Sequence, residues 1–172
     1  THVGGIIAGN GSASGQYRGM APNASLITYE WPDNESETIA EINHSIDAYS
    51  AIVSSNSWGF GVDNNYCSLL GYYHSQSKWF DNLSNWGING SNYITFVFAA
   101  GNYRNDNVCD ISNNPYNNTA GPGATAKNPI TVGSVNSNDE SMTSYSSWGP
   151  TDDGRIKPEV VAPGDEVGGN RI

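Results

Sequence analysis

Asn102 is the residue whose type and position most clearly allow chemistry. It follows three small residues, Ala99, Ala100 and Gly101, at the end of an apolar run over 93–98. A run of β-branched and aromatic residues without alternation predicts a strand buried on both faces, hence a central parallel strand of an α/β sheet. Ligand crevices lie at the carboxyl ends of such strands, where small residues allow close backbone approach. We therefore expect the Asn102 amide to donate into a crevice, with a plain Gly-Asn turn as the alternative.

Strands and helices alternate in the rest of the chain. A second strand, predicted over 51–57, also ends near a glycine, Gly59. Apolar residues three or four apart predict one helix that Ser36 or Glu35 caps and that runs to about Tyr49, and another over 68–86. The other expected elements are a buried helix or strand at 1–11, strands at 24–31 and 129–135, a long loop at 103–128, an extended piece at 142–148, and a turn with a strand at 152–163. This order is typical of an α/β fold of three layers, a mostly parallel sheet flanked by helices.

The composition limits the size and the partners of the protein. The 172 residues suffice for one domain with a core, and two domains would be cramped. A net charge of −10 opposes binding to nucleic acid and to anionic membranes. No apolar run approaches the roughly 20 residues of a spanning helix, so membrane insertion is not expected. We find no signal sequence and no initial methionine, which predicts an excised or processed piece, and the acidic, lysine-poor composition favours a secreted protein.

The cysteines and the loop acids leave several alternatives open. Cys67 and Cys109 are the only cysteines, and without metal-ligand spacing they do not predict a zinc site. A disulfide closing a loop of about 42 residues and two buried thiols both fit the sequence. Asp106 and Asp110 could bind calcium through oxygen atoms, although their spacing is not that of an EF-hand. With Glu140 they could also form a glycosidase pair, and five tryptophans suit a carbohydrate-binding protein, but these acids share no strand register.

Five segments, in the same order, resemble motifs of the subtilisin-like serine peptidases, the subtilases. They are THVGGIIAG at the start, GMAPNASL at 19–26, SNSWG at 55–59, FVFAAGN at 96–102 and the run 127–164, which ends in YSSWGPTDDGRIKPEVVAPG. In that family they follow the catalytic histidine, enter a strand, pair with the substrate backbone, carry the oxyanion asparagine and precede the nucleophile. The last segment is most similar to the larger, alkaline-protease-like branch. The resemblance implies the subtilisin-like fold and a serine-type endopeptidase.

The resemblance also implies roles for the residues at the predicted crevice. Asn102 would be the oxyanion donor. Ser57, Trp58 and Gly59 would present backbone groups to an extended polypeptide substrate, and Ala99, Ala100 and Gly101 would line the pocket for the side chain before the scissile bond. Trp58 could instead be a core or loop tryptophan. Phe60 stands where many members of the family carry a small residue, so the width of the pocket is not implied by the resemblance. The long loop that carries Cys109 would border the site.

The family's reaction requires no cofactor, and a structural calcium ion is compatible with the resemblance. The loop from Asn10 to Arg18 falls where some subtilases bind such an ion. Its match to the family is too weak to name ligands.

None of the 172 residues corresponds to the family's catalytic aspartate, histidine or serine. The catalytic histidine would lie two residues before Thr1, and the nucleophile beyond Ile172. His2 matches a second, noncatalytic histidine, while His44 and His74 are expected on helix surfaces. We therefore expect the central part of a single catalytic domain, incomplete at both ends and inactive by itself. A noncatalytic peptide-binding module of the same fold is the alternative.

Overall fold

The structure is a computed structural model, and it describes residues 2–12, 18–30, 34–59, 61, 67–86, 93–105, 109 and 119–165. The described residues form two compact units, one within Thr1–Ser50 and one within Ala51–Arg171. No helix in these ranges is both long enough and apolar enough to cross a membrane.

The first unit contains two helices, α1 (His2–Ala8) and α2 (Glu35–Tyr49). The residue that caps α2 is Asn34, whose side chain accepts a hydrogen bond from the Glu37 N–H at 3.0 Å. This geometry is that of an N-cap, because it satisfies one of the first backbone donors of the helix. The prediction that Ser36 or Glu35 would cap the helix was therefore wrong by one or two residues.

Two other expectations for this unit were wrong. The helix α1 forms where a buried helix or strand was expected, but none of its residues is buried. The strand expected at 24–31 does not form over its described part, residues 24–30. A strand requires a neighbour that takes up its backbone N–H and C=O groups, and no described segment pairs with these residues.

The second unit is built on a parallel sheet of four strands, in the order β1-β2-β3-β4. The strands are β1 (Val53–Asn56), β2 (Thr95–Ala99), β3 (Ile130–Asn136) and β4 (Val160–Asp165). The register pairs Val53 with Thr95, Val97 with Ile130, and Val132 with Val160. The predicted α/β fold with a parallel sheet and an interior β2 is thereby confirmed. The extended piece expected at 142–148 makes only an isolated bridge, between Val135 and Met142.

The strand β2 is buried on one face only, so the prediction of two buried faces was wrong. Phe96 and Phe98 are each 1% exposed, whereas Thr95 and Ala99, on the opposite face, are exposed. The two phenylalanine rings pack edge to face on Phe80, with centroids 5.4 and 4.9 Å apart. Phe80 belongs to helix α3 (Ser75–Trp86), which therefore covers this face of the sheet.

Helix α3 is shorter than the helix predicted over 68–86. A short 3₁₀ helix, η1 (Cys67–Leu69), comes first and is followed by Gly71 at φ +73°. That left-handed conformation ends a helix and suits glycine. A Cβ atom at Gly71 would also fall 2.7 Å from Asp152 Oδ1, so the chain approaches a distant loop closely at this point.

Candidate active site

A cleft of about 210 Å³ opens at the carboxyl ends of β1 and β2. Its lining residues come from the two strand ends and from the loop that follows β2: Ser57, Trp58, Gly59, Gly61, Ala99, Gly101, Asn102, Tyr103 and Ala120. Six of the seven predicted site residues thus come together in one cleft. Ala100 does not line the cleft, because it is 1% exposed and lies behind it. Phe60 lies outside the described residues.

The end of β2 is held by backbone hydrogen bonds on two sides. The Ala100 N–H donates to Val132 O of β3 at 2.9 Å, and the Ala120 N–H donates to Ala100 O at 3.0 Å. Gly101 then adopts φ +105°, a conformation that side chains disfavour. The chain turns sharply there, and the exposed side chain of Asn102 stands at the cleft.

The segment that follows β3 also forms hydrogen bonds with the turn at Asn102. The Ser147 N–H donates to Gly101 O at 2.9 Å, and Ser147 Oγ accepts the Tyr103 N–H at 3.0 Å. Beyond it, the Arg104 guanidinium lies over the Trp148 ring, 3.7 Å from its centroid. The peptide groups on both sides of Asn102 are therefore fixed by one buried residue.

Trp58 belongs both to the cleft and to the core. Its ring packs edge to face on Phe98, with centroids 5.4 Å apart, and tilts against Phe80 at 5.9 Å. Its Nε1–H donates to Asn56 Oδ1 at 3.0 Å. The indole is thus locked by a hydrogen bond and by aromatic contacts, and it forms a rigid wall of the cleft.

Cys67 and Cys109 form a disulfide, with their Cα atoms 5.4 Å apart. Leu70 and Ala120 form a buried apolar cluster, against which Tyr103 and Cys109 pack. Tyr103 and Ala120 also line the cleft. The disulfide therefore supports the back of the cleft wall that these two residues form.

The cleft is electrically neutral over its described lining, which contains no ionisable carboxylate, amine or imidazole. Within the described ranges, no three His, Cys, Asp or Glu side chains are grouped as a metal site would need. Of the loop acids considered for calcium or sugar chemistry, Asp106 and Asp110 lie outside these ranges. Glu140 is exposed in the turn after β3 and does not line the cleft.

Of the two histidines expected on helix surfaces, His44 lies there and His74 does not. His2 and His44 are exposed in the first unit, where His44 Nδ1 pairs with the Tyr29 hydroxyl at 2.9 Å. His74 is half-buried just before α3, and its Nδ1 accepts the Gln76 N–H at 3.2 Å. Loss of hydration on burial lowers the pKa of the His74 imidazole below 6.5.

Sequence reasoning did not single out Gly61, Tyr103, Ala120 or Ser147. Because Tyr103 directly follows Asn102, its position in the sequence could have identified it as a residue of the cleft. Folding brings Ala120 and Ser147 to the site from distant segments of the chain. For Ala120, the one indication in the sequence was the expectation that the long loop borders the site. The Ser-Ser-Trp-Gly-Pro turn was recognised as a motif, but its spacing gave Ser147 no role.

The sequence is similar to known proteins over most of its length. The model of the subtilase family, peptidase S8, matches residues 1–171. The serine protease AprX of Bacillus subtilis (strain 168) is 32% identical over 185 residues, an alignment that covers 95% of this chain and 37% of AprX. The chain thus spans little more than a third of the length of that relative. On the family match over nearly its whole length, the chain belongs to the subtilases, the subtilisin-like serine peptidases.

Proposed function

We propose that the intact protein is a secreted serine-type endopeptidase that hydrolyses polypeptides through an acyl-enzyme. The described residues would supply its oxyanion hole and its substrate-binding strands. The observation that supports this most directly is the cleft itself. In this cleft the exposed Asn102 amide lies beside the ends of two strands and among uncharged lining residues.

The substrate would bind as an extended strand beside the end of β1. Ser57 and Gly59 are exposed at this point, so their backbone groups can pair with a peptide main chain. Gly59 lies close to the loop behind it, because a Cβ atom there would fall 3.2 Å from Ala120 O. Trp58, locked against Phe98, would keep this segment rigid during binding.

Asn102 would act on the tetrahedral intermediate. When a nucleophile attacks the scissile carbonyl, negative charge develops on its oxygen, and a fixed amide donor stabilises that charge more than the ground state. Loss of such a donor costs about 10²- to 10³-fold in turnover, a magnitude taken from subtilisin, which is a member of the same family. The neutral walls at Ala99, Gly101 and Tyr103 would receive an uncharged side chain before the scissile bond.

The nucleophile, the base and the acid that orients the base would come from parts of the protein other than these 172 residues. The alignment with AprX supports this proposal, since it covers only 37% of that protease. The missing segments of the same domain would thus be the first partners of this chain. The chemistry would need no cofactor, and a structural calcium ion is compatible with it.

The test is steady-state peptide hydrolysis by the intact protein and by two asparagine variants. Asn102→Ala should lower kcat about 10²- to 10³-fold with little change in KM. Asn82→Ala, an exposed asparagine on α3, is the matched control and should leave both constants unchanged. Equal kcat values for Asn102→Ala and the unmodified protein would remove the proposed role. An intact protein that binds peptides without cleaving them would instead be a noncatalytic peptide-binding module.

A further inference from the structure

We propose that Ser147 is a positioning residue that fixes the backbone turn from which the Asn102 amide projects into the cleft. This inference rests on the proposed role of Asn102 as the oxyanion donor. Ser147 does not line the cleft and is 0% exposed, so it would act only through the backbone next to Asn102.

Ser147 bonds the peptide groups on both sides of Asn102. Its N–H donates to Gly101 O at 2.9 Å, and its Oγ accepts the Tyr103 N–H at 3.0 Å. One side chain and one backbone group of a single residue thus restrain two successive peptide planes. The Asn102 side chain itself has no hydrogen bond to any described residue, so these two restraints fix the backbone and the direction of the Cα–Cβ bond from which its amide reaches the cleft.

Ser147 is itself held close to the sheet. The preceding residue, Ser146, is also buried, and its Oγ accepts the Ser134 N–H of β3 at 2.9 Å. A Cβ atom on Gly101 would fall 3.1 Å from Ser147 Oγ, so the two segments are already in close contact. In addition to the chain itself, which enters the turn from β2, one connection from β3 to the Asn102 turn therefore runs through Ser134, Ser146 and Ser147.

An oxyanion donor is sensitive to such support, because it must meet the oxygen of the intermediate at hydrogen-bond distance. A displacement of about 1 Å in a positioned catalytic group can cost about 10²-fold in rate. Removal of Ser147 Oγ takes away this acceptor of the Tyr103 N–H and loosens the peptide that joins Asn102 to Tyr103. The geometry therefore predicts a loss in kcat rather than in substrate binding.

The experiment compares Ser147→Ala with Ser77→Ala in the intact protein. Both variants remove the hydroxyl of a fully buried serine that accepts one backbone N–H. Ser147→Ala should lower kcat about 10- to 100-fold with KM changed less than about threefold. Ser77→Ala should leave kcat within about threefold, since its hydroxyl bonds His74 and Thr125 and does not touch the Asn102 turn. If Ser147→Ala does not fold, Ser147→Gly provides a second removal of Oγ that keeps the backbone N–H.

A double-mutant cycle separates positioning from a general structural role. In the Asn102→Ala background, Ser147→Ala should lower kcat by less than about twofold, because the group it positions is already absent. A loss that multiplies with that of Asn102→Ala, or an equal loss in Ser77→Ala, would overturn the inference. If Asn102→Ala alone had no effect, the proposed function would fail. If Asn102→Ala lowered kcat and Ser147→Ala did not, only the positioning role would fail.

Discussion

Gly123 lies so close to the ring of Phe98 that a Cβ atom at this position would fall 2.2 Å from the ring atoms Cε2 and Cζ. Phe98 is fully buried and carries Trp58 on its edge, with ring centroids 5.4 Å apart. A side chain at position 123 would therefore displace the Phe98 ring. That shift would in turn displace Trp58, which packs on Phe98 and forms a wall of the cleft.

We expect Gly123→Ala to destabilise the protein by about 1–3 kcal/mol, the usual cost of overpacking a core, and to raise KM for peptides. Gly5→Ala is the control, because a Cβ atom there meets nothing within 4 Å. Urea denaturation gives the free energy of unfolding, and peptide hydrolysis gives KM. Equal stability of the two variants would show that the loop at Gly123 adjusts without cost.

Asp81 of α3 holds the start of the segment that leads into β3. Its Oδ1 accepts the N–H groups of Lys127 and Asn128, each at 2.7 Å, and its Oδ2 accepts the Tyr73 hydroxyl at 2.7 Å. Asp81→Ala leaves these donors without their acceptor and should cost about 3 kcal/mol. Asn82→Ala, at the next and exposed position of the helix, should be nearly neutral. Thermal denaturation of both variants measures the difference, and a similar Tm for the two would contradict this assignment.

Tyr73 should make stability depend on pH in the alkaline range. Burial, and then the hydrogen bond to the Asp81 carboxylate, raise the pKa of its phenol from 10.0 to about 12. The folded state thus binds this proton more tightly than the unfolded state, so the stabilisation is complete below pH 10.0 and is lost as the pH rises to about 12.

Tyr73→Phe lacks this ionisation, so its free energy of unfolding should fall less steeply than that of the unmodified protein across the same window. Denaturant titrations at several pH values give both curves. Parallel curves would show that the phenol has the same pKa in both states.

The Cys67–Cys109 disulfide should contribute to stability and to the shape of the cleft. A loop of about 42 residues corresponds to about 4 kcal/mol in the chain-entropy account. The Cys67→Ser/Cys109→Ser double variant should therefore lose about 10 °C in Tm. Its KM should rise as well, because Tyr103 and Ala120 pack on the same cluster as Cys109. A lower Tm with an unchanged KM would limit the disulfide to a stabilising role.

Local patterns predicted the sheet and the crevice at the end of β2, whereas the resemblance to the subtilases placed Ser57, Trp58 and Gly59 at the site. The apolar run before Ala99 specifies a strand, and the small residues after it specify where a ligand can approach. The resemblance also placed Ala100 in the lining. Its side chain instead turns into the core, because it lies on the same face of the strand as the buried Phe96 and Phe98.

The errors concern features that depend on distant segments. Apolar periodicity over 68–86 could not reveal that Gly71 packs against Asp152, where the helix is interrupted. The apolar run of β2 could not show which of its faces a helix covers. Ser147 became part of the site description only when folding brought it within hydrogen-bond distance of Gly101 and Tyr103.

The order of the strands in the sheet is the same as their order along the chain. Each pairing joins residues about 30 to 40 positions apart, such as Val53 with Thr95 and Val132 with Val160, so no pair forms as a local hairpin. Such distant pairings make folding slow. The same order also means that each new strand adds to the edge left by the previous one. During synthesis on the ribosome these four described strands can therefore pair in one direction, and none of the four has to insert between two others that are already paired.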